Sequence, residues 1–211
     1  MSKPRVRNRY SSGPTRGEQR RERLLQALED LLASRPFAAI EVGDIARAAG
    51  LSRSAFYFYF PSKAAAVGAV LGDVFGEISD VLDKWTELGD SVAARRREVY
   101  DSFERVVAIW RQHAPLMAAM FDAASTDAEV RAMFEGHIDN FVDGSAARIR
   151  HERAVGEAPD GPDPEALARV LVGMNVKALE RDMRAITSGA PADADLPRVL
   201  AFVWGRVLYD A

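Results

Sequence analysis

The chain contains no cysteine among its 211 residues. That excludes disulfide staples, thiolate metal sites and cysteine nucleophiles. Histidine is scarce, and His113, His137 and His151 do not stand at a spacing that sets ligands on one helix face, so no metal site is expected. Long apolar runs are missing too. The longest stretch free of strongly polar residues is 64–72, far short of the roughly 20 residues a membrane-spanning helix needs. The first 17 residues hold no apolar segment of the kind a secretory signal carries. No Gly-rich phosphate loop is present, since Gly72 and Gly76 fall within a helical pattern. These absences predict a cytoplasmic globular protein with no cofactor and no membrane partner.

What is present is unevenly distributed. The net charge is -3, from 28 basic and 31 acidic residues. Residues 1–63 nevertheless hold 12 Lys and Arg against 6 Asp and Glu. The excess of acid lies entirely in the remainder. Such asymmetry points to a polyanion at one end of the chain.

Periodicity is helical throughout, and no segment shows sustained β alternation. Residues 1–15 carry Lys3, Arg5, Arg7 and Arg9 among Ser, Gly and Pro, which predicts a disordered basic arm. Leu24, Leu25, Leu28, Leu31 and Leu32 then form one apolar stripe on a helix over about 16–34. Two short helices follow, at about 42–49 and 53–59, separated by Gly50, which suits a left-handed turn position. Ser52 is placed to cap the second. A long amphipathic helix runs from about 62 to 88. Further helices are expected at 92–113, 115–123, 126–155, 164–187 and 196–209. The fold class is therefore all-α. The domains read as a basic arm (1–15), a tri-helical unit (16–62), a connector helix (63–89) and a larger helical domain (90–211).

Two short helices joined by a tight glycine turn and braced by longer ones form a helix-turn-helix. The second short helix would enter the major groove by its N-terminal residues. Arg53 in its first turn can bond guanine bidentately, and small Ser54 and Ala55 allow close approach, with Ala55 able to touch a thymine methyl. Phe56 points inward as core. The hydroxyls of Tyr57 and Tyr59 are suited to phosphate oxygens, as are Lys63 at the head of the next helix and Arg16 and Arg20 on the first.

The run from Val42 to Lys63, through Ile45-Ala46, Ala49-Gly50, Ser52, Phe56-Tyr57, Tyr59-Phe60 and Ser62-Lys63, resembles the DNA-binding signature of the TetR family of transcriptional regulators. The tract Phe-Tyr-Phe-Tyr-Phe-Pro-Ser-Lys resembles its EthR-like branch most closely. Gly43 and Phe58, inside that run, complete the set assigned to DNA. Two positions depart from the pattern. Glu41 stands where the family often has Thr or Ser; it is a poor cap and repels phosphate. Ala64 stands where an acidic residue is usual.

The resemblance implies a ligand-responsive repressor that binds double-stranded operator DNA as a homodimer. One recognition helix per chain requires two copies to reach successive major grooves. The dimer would use the last two long helices, with Leu167, Val170, Leu171, Leu179, Val199, Leu200, Val203, Val207 and Leu208 available. Soft, bulky side chains suit a pocket for a small, largely apolar effector. They are Phe103, Val106, Trp110, Met117, Met120, Phe121, Phe134, Phe141, Met174 and Trp204, with Asn175 as a polar group among them. The resemblance matches Asn175 and Trp204 to pocket-lining positions. Two other readings stand beside this one: a constitutive dimeric DNA-binding protein without an effector, and, more remotely, a helical-bundle enzyme.

Overall fold

Side-chain oxygens decide where most of the helices begin. Thr15 and Glu18 form a reciprocal capping box: the Thr15 amide donates to the Glu18 carboxylate at 2.6 Å, and the Glu18 amide donates to Thr15 Oγ1 at 3.2 Å. Ser52 Oγ accepts from the Ala55 amide at 3.1 Å, and an Asp163 carboxylate oxygen accepts from the Ala166 amide at 2.9 Å. The computed structural model describes residues 15–83 and 91–209. The expected arm at 1–14 and the end of the connector at 84–89 lie outside them. Thr15, grouped with the arm in the sequence reading, caps the opening helix through its hydroxyl.

Among the described residues the elements are α1 (Arg16–Leu32), a 3-10 turn (Phe37–Ala39), α2 (Val42–Ala48), α3 (Arg53–Tyr59), α4 (Lys63–Asp83), α5 (Val92–Gln112), α6 (Ala114–Thr126), α7 (Ala128–Ala154), α8 (Pro164–Thr187) and α9 (Leu196–Tyr209). No strand occurs among them. The 3-10 turn has no counterpart in the sequence reading, and α6 is longer than expected at both ends. Helix α2 packs on α1 and α3, α1 also packs on α4, and α4 lies against α5 and α7. Helix α5 packs on α9, and α8 packs on α6 and α7. A single apolar core runs through both regions, from Leu24, Leu28 and Phe56 to Met117, Ile149 and Trp204.

Three polar contacts fix the relative placement of the helices. Buried Asp182 on α8 accepts from Arg111 Nε of α5 at 2.8 Å and from the backbone amide of Asp193 at 2.7 Å, which fastens the α8–α9 turn to α5. Fully buried Glu152 on α7 is ion-paired with Arg95 and Arg148, and Arg148 also donates to Tyr209 Oη. Removing one partner from such a buried cluster strands charge in a dry interior. His113, at the α5–α6 junction, faces Glu29 of α1 at 3.3 Å.

His137 on α7 stacks on Phe75 of α4, with ring centroids 4.5 Å apart. Burial holds its pKa below the ordinary 6.5, because the charged imidazolium is disfavoured there. The unfolded chain therefore takes up a proton before the folded one does. The stability associated with a neutral ring is complete above about pH 6.5 and is lost as pH falls toward the folded value. Replacing His137 by Phe keeps the stack and removes the proton. Chemical denaturation at about pH 7.5 and pH 5 should show a smaller loss for His137→Phe than for the wild type. Equal losses would mean that the ring is charged in the fold.

Candidate nucleic-acid interface and interior cavity

The turn between α2 and α3 closes by backbone bonds alone. Gly50 has φ +67, the amide of Leu51 donates to Ala46 O at 2.8 Å, and that of Gly50 donates to Arg47 O at 3.1 Å. This paired arrangement needs the left-handed residue that glycine supplies. The turn sets α3 on the surface. Phe56 is fully buried and anchors it, while Arg53, Ser54, Tyr57 and Phe58 face solvent. Phe58 is 80% exposed, a large apolar surface left in water on an otherwise polar face. The Arg53 guanidinium lies 5.8 Å from the Tyr57 ring centroid and 3.5 Å from its hydroxyl, so the arginine is braced along the helix. Ser52 Oγ and Ser54 Oγ are 2.9 Å apart. Ala55 and Tyr59 are half-buried. The Tyr59 hydroxyl is 4.0 Å from where a Cβ on Gly17 would stand, at the start of α1.

Arg16 and Arg20 are exposed on α1 and line a shallow groove together with Arg23. Arg23 was not singled out from the sequence, where it is one basic residue among several. Gly43 on α2 is half-buried, with open space where a Cβ would project. The result is one surface on which a braced arginine, two small side chains and exposed aromatics stand beside basic α1. An α-helix presented this way fits the width of a major groove.

Lys63 departs from the sequence reading. Its ammonium donates to Phe37 O and Ile40 O, both at 2.7 Å, and sits 3.9 Å above the Phe37 ring. Burial lowers its pKa, while the carboxylates of Glu41 and Asp127 act the other way. Two of its three donors therefore hold the 3-10 turn to the head of α4 and are not free for phosphate. A lysine does not reveal its acceptors in the sequence, so this structural role was not legible there. Glu41 behaves as a weak cap, and α2 is closed by its neighbour: the Glu41 amide donates to the Asp44 carboxylate at 3.2 Å. That bond lowers the Asp44 pKa. Lys63→Met should lower the stability of the DNA-free protein by about 1–3 kcal/mol, the cost of two charge-assisted bonds, read as a drop in thermal midpoint. An unchanged midpoint would return Lys63 to the role of a surface phosphate ligand.

The second region encloses a cavity of about 70 Å³. Of the residues assigned to a pocket, Phe103, Val106, Trp110, Phe141, Asn175 and Trp204 line it. Trp204 Nε1 donates to Asn175 Oδ1 at 3.2 Å. Ile78 and Leu82 of α4, with Ile138, Ser145, Val172 and Val176, complete the wall. Met117, Met120, Phe121, Phe134 and Met174 do not line it. Met117 and Met120 are fully buried core, Phe121 stacks on Trp110 and meets Phe134, and Met174 packs at the edge of the core.

The residues assigned to a dimer interface also divide. Leu171, Leu179, Leu200 and Leu208 are buried in their own subunit, and Leu179 lines the cavity; their helices bury that face against α5, α6 and α7. Val170 and Val199 are exposed, at 69% and 52%. Leu167, Val203 and Val207 are half-buried beside them. Phe202, 60% exposed, belongs with this face and was missed. It sits one helical turn from Val199 and Arg206, and its ring lies under the Arg206 guanidinium.

Comparison with known proteins agrees with this geometry. The family described as "Bacterial regulatory proteins, tetR family" matches residues 24–70, and that described as "Transcriptional regulator EthR, C-terminal domain" matches residues 99–210. The HTH-type transcriptional regulator EthR of Mycolicibacterium smegmatis is 29% identical over 205 residues, 96% of this chain and 92% of that protein. The fold is shared with NalD of Pseudomonas aeruginosa, the secondary repressor of the MexAB-OprM multidrug efflux pump (TM-score 0.71, 20% identity, 92% of this chain and 98% of that one). It is also shared with the repressor FadR of Thermus thermophilus in complex with lauroyl-CoA (TM-score 0.59, 23% identity, 89% and 92%). No helix among the described residues is long and apolar enough to cross a membrane. With the helix-turn-helix matched at one end and more than half of the chain matched at the other, this protein belongs to the TetR family of transcriptional regulators, in its EthR-like branch, and is a DNA-binding regulator.

Proposed function

We propose that the protein works as a homodimeric repressor, released from its operator by a small, largely apolar effector that enters the interior cavity. The observation that carries this reading is that the cavity and the DNA-reading helix share one rigid element. Helix α4 starts at Lys63, clamped to the helix-turn-helix, and its Ile78 and Leu82 form part of the cavity wall. A ligand that pushes on Ile78 and Leu82 pushes on the lever that carries α3. The coupling needed is modest, about 1–3 kcal/mol between sites. Asn175 offers the polar contact: its carbonyl is engaged by Trp204, which leaves its NH₂ group to orient a ligand carbonyl. At about 70 Å³ the cavity is contracted and must open to admit a ligand.

The partner copy would cover Val170, Val199 and Phe202, which otherwise expose apolar surface on neighbouring turns of α8 and α9. Two α3 helices about 34–36 Å apart would then meet successive major grooves. Arg16, Arg20, Tyr57 and Tyr59 would contact phosphates, so affinity should fall steeply with salt. Arg53, Ser54 and Ala55 would select bases, with Phe58 beside them.

Three measurements test this. Phe202→Asp places a charge in the proposed seam, and sedimentation should show a monomer with weakened operator binding; a stable dimer would move the interface elsewhere. Arg53→Ala should cost about 1–3 kcal/mol of specific binding and relax preference at one position per half-site in a selection from random DNA. Unchanged preference would mean that α3 is not the reading helix. Apolar compounds that raise the thermal midpoint should lower operator affinity, and Trp204→Ala or Asn175→Leu should weaken both effects together. Compounds that bind without changing operator affinity would support a constitutive regulator.

A further inference from the structure

A second hollow adjoins the cavity. It is a surface groove of about 280 Å³ between α7 and α8, floored by Phe134, Ile138, Gly173 and Val176. Ile138 and Val176 line both the groove and the cavity, so their half-buried side chains stand between the two. Gly173 has no atom within 4 Å of where a Cβ would stand, which leaves that wall open. Small-molecule sites usually span about 300–1,000 Å³. Neither hollow alone reaches that range, and the two joined do.

The rim carries charge of one sign in excess. Glu135 and Asp139 stand four residues apart on α7, both exposed, and neither has an ion pair among the described residues. Like charges at this helical spacing repel. Lys177, the one basic group on the rim, is held by Glu180 at 2.8 Å. Glu180 in turn holds Arg184, which reaches Asp122, so that chain of charges balances itself. His137, between the two acids in sequence, is stacked inward on Phe75. Within the cavity the polar side chains are the neutral Ser145, Asn175 and Trp204. A charged group has no counterion there and must stay outside.

We propose that the effector is an elongated cationic amphiphile. Its apolar tail passes between Ile138 and Val176 into the cavity, and its cationic head remains in the α7–α8 groove against Glu135 and Asp139. This rests on the reading of the cavity as the effector site and adds the ligand's chemical class and its route.

The test uses the full-length protein and three probes with one ten-carbon chain: decyltrimethylammonium, decanol and decanoate, each below its micelle concentration. A shift in tryptophan emission reports the tail, since Trp110 and Trp204 both line the cavity. The ammonium should bind roughly threefold to tenfold more tightly than the alcohol, the scale of two screened surface carboxylates acting on one cation, and decanoate should bind weakest. In the double variant Glu135→Gln, Asp139→Asn the ammonium and the alcohol should bind alike; both positions are exposed, so folding is preserved. Ile138→Trp, which narrows the passage, should slow association of all three. Equal binding of ammonium and alcohol by the wild type, tightest binding of decanoate, or an ammonium preference that survives the double variant would overturn the cationic head and leave the cavity intact. If no probe changes tryptophan fluorescence or the thermal midpoint, the cavity itself is not an effector site.

Discussion

The head of α4 is the point on which the rest of the structure depends. A lysine there holds one carbonyl of the preceding 3-10 turn and that of the residue after it, and covers an aromatic ring, so α4 cannot swing without carrying the helix-turn-helix with it. The helix has 21 residues, about 31 Å at the α-helical rise. It lies against α5 and α7 and supplies two residues to the cavity wall. In the proposed effector response, a displacement at the cavity would reach α3 as a tilt of this helix. That is a physical requirement for signalling between a buried site and a surface helix.

A lever must also be free enough to move. The helix-turn-helix meets the second region through the shared apolar core, with α1 and the 3-10 turn against α6, and through polar contacts of modest strength at its edge. Ser62 Oγ donates to Glu129 on α7 at 2.9 Å, and Glu29 faces His113 at 3.3 Å. Partly exposed pairs of this kind contribute about 1 kcal/mol or less each. They are strong enough to define a resting position and weak enough to exchange for others. The interior contrasts with this: Glu152 with its arginines ties α5, α7 and α9 together in the dry core.

Much of this was legible in the sequence. The bounds of α3, α8 and α9 follow from Ser52, Asp163-Pro164 and the apolar stripes, and the signature around Gly50 marks α3 as the candidate reading helix. What was not legible shares one cause. Periodicity marks a face as apolar but not which neighbour it meets, and in an all-α chain a long helix can be buried on two sides. Leu200 and Val199 are adjacent in sequence, yet one is sealed in its own subunit and the other open. Met117 and Trp110 look equally suited to a pocket, but only Trp110 reaches it. Phe202 was overlooked because an aromatic on an apolar helix reads as core. The structural role of Lys63 was not legible because the carbonyls it holds lie in and just after a 3-10 turn that leaves no pattern in the sequence.

The turn joining α8 to α9 owes its shape to a carboxylate sunk beneath it. Asp182 gathers a guanidinium from one side and a main-chain amide from the other, so the path of the connection is dictated from within the protein. Its own residues, Ser188 to Asp195, have little left to specify beyond a left-handed glycine at Gly189. Across evolutionary time such a loop should drift freely in composition while resisting any change in length. An insertion would carry the amide of Asp193 away from its acceptor and leave one oxygen of the buried carboxylate without its partner.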